Sequence, residues 1–208
     1  MTLMERIAGA SRSGRGMIIL DLCGGTGSWS APYLAAGYDV RLVTLPALDV
    51  RKYRPPANVH GILAAPPCTT FSIANNMRKR PRSVAEKLEG VEVVCACLRI
   101  ILMAGPKWWA LENPVGYLSK LMGPPVYLFQ PWRFGDPWTK RTLLWGKFAE
   151  PRKRPVPPLY AGVGAGGLLM NGARRKPDLT LNAPRSMRAA MRAVTPPGFA
   201  RAFYEANP

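Results

Sequence analysis

The stretch Gly61 to Ser72, GILAAPPCTTFS, sets a thiol at a defined place. Ile62 to Ala65 is an apolar run of strand length, and Pro66 and Pro67 stop it and stiffen the turn, so Cys68 leaves the sheet edge in a fixed position. Two readings are open for it: a nucleophile presented at a strand end, or a structural thiol buried behind a Pro-Pro turn. A second chemical stretch follows the apolar run Met17 to Leu22, which contains Asp21. It reads Cys23-Gly24-Gly25-Thr26-Gly27-Ser28, and a helical pattern then reaches Ala36 and closes at Gly37. Glycines at such a turn let a ligand approach the backbone, and free helix N-terminal amides favour a carboxylate or phosphate. A tight βα connection with no ligand has the same sequence. The third stretch is Glu112-Asn113-Pro114, a carboxylate placed directly after the apolar run Lys107 to Leu111.

These groups need elements to position them. The expected strands are Met17 to Leu22, Asp39 to Leu45 with Asp49-Val50 just beyond, Val59 to Ala65, Lys107 to Leu111, and one more within Phe134 to Gly146. The expected helices follow the glycine turn, span Ser83 to Ala104, and start near Pro196-Pro197 to run through Phe203. Cys95 and Cys97 in the second helix read as packing residues. Strands alternating with helices describe a parallel α/β sheet, whose ligands bind outside the carboxyl ends of the strands, where Asp21, Cys68 and Glu112 all fall. Residues 1–16 read as a loosely attached arm, 17–208 as one domain, and 147–184 as a loop-rich basic excursion within it.

Composition narrows the partner. With 29 Lys and Arg against 12 acidic residues, the 208-residue chain carries +17, which suits a polyanion such as nucleic acid, or high solubility alone. Arg78, Lys79, Arg80 and Arg82 directly follow the thiol turn, where contact with a polyanionic substrate is expected. The four cysteines form no CxxC pair and His60 is the single histidine, so no metal site is expected. No apolar run reaches membrane-spanning length and the first residues lack a signal-peptide core, so the expected compartment is the cytoplasm.

Taken in order, DLCGGTG at 21–27, PPCTTFS at 66–72, LENP at 111–114, FGDPWTKRT at 134–142 and AVTPPGFARAF at 193–203 resemble the motifs of DNA cytosine-5 methyltransferases, above all the small phage-encoded kind. The resemblance covers most of the chain outside 1–16 and 147–184. It implies a Rossmann-like, S-adenosylmethionine-dependent methyltransferase fold, a mostly parallel central sheet with helices on both faces, working on DNA in a bacterial or phage-infected cell. Cytosine C5 is a poor nucleophile, so the family adds a thiolate to C6 to turn C5 into an enamine-like carbon. Cys68 matches that nucleophile, and a turn opening a helix beside cations is expected to lower its pKa. Glu112 matches the carboxylate that binds the cytosine N3 and N4 edge. Water takes the C5 proton, since no histidine is placed to do so. The target base is flipped out of the duplex.

The remaining assignments also rest on the resemblance. Where the family shows Gln and then two alternate arginines, Lys140 matches in charge and Arg141 is out of step; one of them meets cytosine O2 or a phosphate. Donor contacts fall on Asp21, Cys23, Gly24, Gly25, Thr26, Gly27, Ser28 and Trp29, on Thr44, Leu45, Asp49 and Val50, on Pro66, and on Arg192, Ala193 and Val194. DNA contacts fall on Ser72, Arg78, Lys79, Arg80 and Arg82. Thr44-Leu45-Pro46 stands where the family places an acid on the ribose, and Met191-Arg192 replaces Gly-Asn, putting a cation beside the donor. That cation opens an alternative, carboxy-S-adenosylmethionine as donor and 5-carboxymethylcytosine as product. Only about forty residues separate the last strand from the final helix, too few for a packed recognition domain, so specificity is expected to be low or supplied by a protein partner. An inactive basic DNA-binding protein is the alternative from another class; a binder needs neither Cys68 nor Glu112.

Overall fold

The computed structural model describes Gly14 and residues 16–72, 82–157 and 194–208. Most of the expected arm, the run Arg78 to Arg80, most of 147–184, and Arg192 and Ala193 lie outside these residues. In chain order the strands are β1 (Ile18–Leu22), β2 (Asp39–Val43), β3 (Val59–Ala64), β4 (Trp108–Pro114), β5 (Tyr127–Phe129) and β6 (Thr142–Lys147). The helices are α1 (Ala31–Ala35), α2 (Val84–Ala104), α3 (Leu118–Met122) and α4 (Pro197–Ala206), with a 3-10 turn at Pro131–Phe134.

One six-stranded sheet runs in the order β2-β1-β3-β4-β6-β5. The first four strands in the series are mutually parallel, while β6 is antiparallel to β4 and β5 is antiparallel to β6. The result is a Rossmann-like α/β sheet, mostly parallel, with helices on both faces. Side chains alternate across it. Leu20, Leu22, Ile62, Ala64 and Leu111 pack with Val94, Cys97 and Ile100 of α2. Ile19, Leu63, Trp108 and Ala110 pack with Tyr33 of α1 and with Phe199 and Phe203 of α4. Because both faces are covered, β1 and β3 read as near-continuous apolar runs.

The helix ends are set locally. Ser83 Oγ accepts from Glu86 N at 3.2 Å while Ser83 N donates to Glu86 Oε2 at 2.7 Å, a capping box that stabilises the start of α2 by about 1 kcal/mol. At α4, Asp136 Oδ2 accepts from Gly198 N at 2.9 Å and so caps a helix 62 residues downstream. A Cβ on Gly198 would lie 2.0 Å from Phe134 O, so only glycine allows that approach. Phe199 stacks on Phe129 with centroids 3.6 Å apart, which sets α4 against the sheet. The C-terminus is fastened too: Tyr33 Oη donates to Asn207 O at 2.9 Å, and Ala149 N donates to Asn207 Oδ1 at 2.6 Å.

Three expectations change. The strand expected to end at Leu111 continues to Pro114, because Glu112, Asn113 and Pro114 pair with Leu144, Leu143 and Thr142 of β6. The sequence reading placed neither α3 nor β5, both short and separated by Gly123-Pro124-Pro125. Cys97 is buried in the core as expected, but Cys95, two residues away and therefore on another side of α2, is exposed.

Candidate active site

Strand register gathers the site. Leu22 pairs with Ala64 and Ala64 with Leu111, so the turns after β1 and β3 and the carboxylate at 112 share one sheet edge. Pro114 pairs with Thr142, which brings Lys140, just ahead of antiparallel β6, to the same edge. Alternation along β4 sends Glu112 to the face of Trp108 and Ala110, where the aromatic layer lies. There it lines a closed cleft, too tight to admit a water, with Trp29, Phe129, Lys140, Thr142, Thr195, Pro196 and Phe199. Glu112 Oε2 is buried with no hydrogen-bond partner. Burial pushes the Glu112 carboxyl up, and the Lys140 cation pulls it partly back.

Cys68 is exposed, yet enough of the fold surrounds it that desolvation pushes its thiol up, joined by the Glu112 charge and opposed by Lys140. The expected lowering is therefore overturned for the ligand-free protein. The turn supplies local bonds, Phe71 N and Ser72 N donating to Cys68 O at 3.1 and 2.9 Å, but burial and the Glu112 charge raise the thiol more than Lys140 and a backbone hydrogen bond lower it. The turn is nonetheless held from several sides. Asn113 Nδ2 donates to Pro66 O at 3.0 Å, Tyr117 N to Phe71 O at 2.8 Å, and Arg82 Nε to Thr69 O at 2.7 Å. Ser72 bridges Gly116. Arg82, expected to meet DNA, thus serves the turn and also pairs with Glu86 at 3.6 Å. Of the two candidate cations, Lys140 lies in the cleft, while Arg141 is exposed and is not among its lining residues.

The glycine turn lies next to this cleft. Asp21 is fully buried, accepts from Ser30 Oγ at 2.6 Å through Oδ2, and leaves Oδ1 without a partner. Burial pushes its pKa up to about 6. A Cβ on Gly24 would lie 2.1 Å from Asp21 Oδ1, so the carboxylate and the turn backbone are in direct contact. Cys23 has a left-handed φ of 58°, and its sulfur accepts from the Cys97 thiol, which draws the Cys23 pKa down. Ser28 Oγ accepts from Thr195 N at 2.9 Å and so joins the turn to the segment before α4. Gly25 and Thr26 are exposed, Gly27 and Ser28 half-buried.

A pocket of about 290 Å³ opens outside the carboxyl ends of β1, β2 and β3, lined by Cys23, Thr44, Leu45, Leu48, Asp49, Val50, Pro67 and Thr70, with Glu86 and Glu89 of α2 across from them. Leu45 and Leu48 are 65% and 44% exposed, leaving a large apolar wall open to a ligand. Asp49 is held below the ordinary carboxylate range by Arg51, whose guanidinium meets it at 2.8 Å. Trp29 and Val50 are core residues, at 2% and 4% exposure, so most of each side chain is committed to packing. Pro66 is buried, and Val194 is exposed on the chain entering α4.

Sequence reasoning missed Phe129, Thr195 and Phe199 as cleft walls and Asp136 as the cap beside them. TPPGF held the signal for Thr195 and Phe199; Phe129 and the capping role of Asp136 carried none. Among the described residues no group of three or more His, Cys, Asp or Glu is placed to hold a metal, and no helix is long and apolar enough to cross a membrane.

No protein-family model matches the chain, and no curated protein matches it. Among solved structures it is similar to a protein described as a DNA modification methyltransferase encoded within an E. coli prophage, at TM-score 0.45 and 16% identity over 63% of this chain and 46% of that one. The chain thus spans just under half the length of that protein. It is also similar to the DhpI-SAM-HEP complex, at TM-score 0.27 and 13% identity over 74% of this chain and 73% of that one.

Proposed function

We propose that residues 17–208 form one DNA cytosine-5 methyltransferase domain that works in the cytoplasm through a covalent adduct at Cys68. The observation that carries this reading is Glu112 Oε2, buried and unpartnered in a cleft that also holds Lys140, with Cys68 close enough to feel both charges. A buried polar oxygen without a partner is costly, and the edge of a flipped-out cytosine would satisfy it once the walls of the closed cleft part to admit the base. The five motifs in family order support the same reading.

The residues present fit S-adenosylmethionine. Leu45, Leu48 and Asp49 would hold its adenosine part, and the turn from Cys23 to Ser28, with the free Oδ1 of Asp21, its methionine part. When bound, the donor supplies an electrophilic methyl carbon for C5.

Glu112 and Cys68 perform the remaining steps. Burial pushes the Glu112 carboxyl up and so favours its protonated form, in which one oxygen donates to cytosine N3 while the other accepts from the N4 amine. That bond makes C6 electrophilic. The Cys68 thiol gives its proton to solvent, favoured by the Lys140 cation, and Sγ bonds to C6 as the ring electron pair moves to C5. After C5 is alkylated, water removes its proton, the pair re-forms the ring double bond, and the C6–S bond breaks to release Cys68. Sequence preference is weak or set by a protein partner, and binding is carried mainly by phosphate contacts.

Mass analysis of nucleosides from DNA incubated with the protein and S-adenosylmethionine tests the product; 5-methylcytosine is expected. A covalent complex with 5-fluorocytosine DNA should form with the native chain and disappear in Cys68→Ser, since a hydroxyl is far harder to ionise. Undiminished turnover by the Ser variant refutes the assignment of the nucleophile.

A further inference from the structure

A second cavity, of about 270 Å³, lies along α4. Its charged walls are Arg152, Arg154, Arg201 and Glu205, and Phe134 and Gly198 line it as well. Three guanidiniums against one carboxylate leave an excess of two positive charges. Arg154 meets Glu205 at 3.3 Å, but these side chains are 62% and 41% exposed, so the pair is screened and readily exchanged for another anion. The guanidiniums of Arg152 and Arg201 have no ion pair or hydrogen bond among the described residues.

The arginines stand on fixed backbone. Arg154 N donates to Arg133 O and Val156 N to Trp132 O, both at 2.8 Å, and Ala149 is fastened to Asn207 on the near side. Arg201 projects from α4, which the Phe129–Phe199 stack locks to the sheet. The helix N-terminus itself is already taken, because Asp136 accepts from Gly198 N; an incoming anion meets guanidiniums rather than free amides. Arginine forks bind phosphate oxygens bidentately, which suits a rigid, partly enclosed cluster.

The segment from Thr195 to Phe199 lines both places: Thr195, Pro196 and Phe199 wall the Glu112 cleft, and Pro197 and Gly198 wall the arginine cavity. Pro196 on the cleft and Pro197 on the cavity are consecutive residues, with Cα atoms about 3.8 Å apart. A nucleic-acid strand carries a phosphate about every 3.4 Å along the helix axis, so a strand with one base in the cleft has its next few phosphates within reach of the arginines. We propose that Arg152, Arg154 and Arg201 form a phosphate clamp for the DNA backbone, a few nucleotides from the base held at Glu112. The clamp rests on the reading of DNA as substrate, and it fixes the strand without reading its sequence.

The test is binding of labelled duplex DNA by the full chain across a salt series. Arg152→Gln with Arg201→Gln should weaken binding equally for unrelated sequences and reduce the slope of log affinity against log salt by about 1.8, or 0.9 for each lost phosphate contact. Lys107→Gln with Lys147→Gln removes the same charge from the opposite end of the sheet, where Lys147 pairs with Trp109, and should leave the slope unchanged. Equal slope changes in both variants, no change in the arginine variant, or a native chain that binds no DNA each overturn the clamp. If the slopes behave as expected while no modified cytosine forms, the clamp stands and the catalytic reading falls.

Discussion

Replacing Asp21 by Asn should make the protein more stable at neutral pH while weakening the donor binding proposed for it. Asp21 is fully buried, and desolvation raises its pKa from 3.8 to about 6 even though Ser30 Oγ bonds to it at 2.6 Å. An acid whose native pKa is raised holds its proton longer in the folded chain than in the unfolded one. Below pH 3.8 both states are protonated and nothing is lost. As pH rises from there to about 6, the unfolded chain ionises first, and stability falls with pH until the full cost is reached above the native pKa. That gap corresponds to about 3 kcal/mol at pH 7. Asparagine keeps an acceptor oxygen for Ser30 but carries no charge, so the cost disappears. Urea unfolding of both proteins, followed by tryptophan fluorescence at several pH values, should show nearly equal sensitivity near pH 3.5 and a difference growing to about 3 kcal/mol by pH 7. A difference that is constant over this range, or largest in acid, refutes the argument. Donor affinity, measured by calorimetry on the same Asn variant, should fall, because the charge that destabilises the fold is the one that faces the glycine turn.

Lys140→Met should raise the pH midpoint for alkylation of Cys68, since the lysine is the cation that opposes the thiol's rise, whereas Arg141→Met should leave it in place; equal shifts in the two variants would count against the cleft geometry. Gly198→Ala forces a Cβ to within 2.0 Å of Phe134 O and should cost about 1–3 kcal/mol through displacement of α4, read as a lowered urea midpoint together with lost DNA-adduct formation.

Much of this architecture was legible because local and global signals agree. The runs around Ile19, Leu20 and Ile62, Leu63 are apolar on successive residues, as strands covered on both faces must be, and Ser83 with Glu86 marks the start of α2 by a reciprocal cap. Asp21, Cys68 and Glu112 could be placed at one sheet edge because each follows or ends such a run. Long-range effects were not legible. Nothing near Asp136 announces that it caps a helix starting at Pro197, and β5 is only three residues long, too short for a periodicity to show. The thiol at 68 was expected to be acidified by its local turn, but its pKa is governed by burial and by Glu112, which arrives on a different strand.

The clamps at both borders of residues 158–193 have a consequence for how such a chain can change. On one side Val156 is bonded to Trp132, and on the other Thr195 is bonded to Ser28, so each border is anchored to the sheet body. The entropy of closing a chain between fixed points rises only by about 0.6 kcal/mol when its length doubles. Both border bonds and the register that assembles Cys68, Glu112 and Lys140 stand on residues outside 158–193, so a change of length within that stretch removes none of them. Because Thr195 is both the outgoing border and a wall of the Glu112 cleft, anything spliced in there rejoins the sheet body beside that cleft.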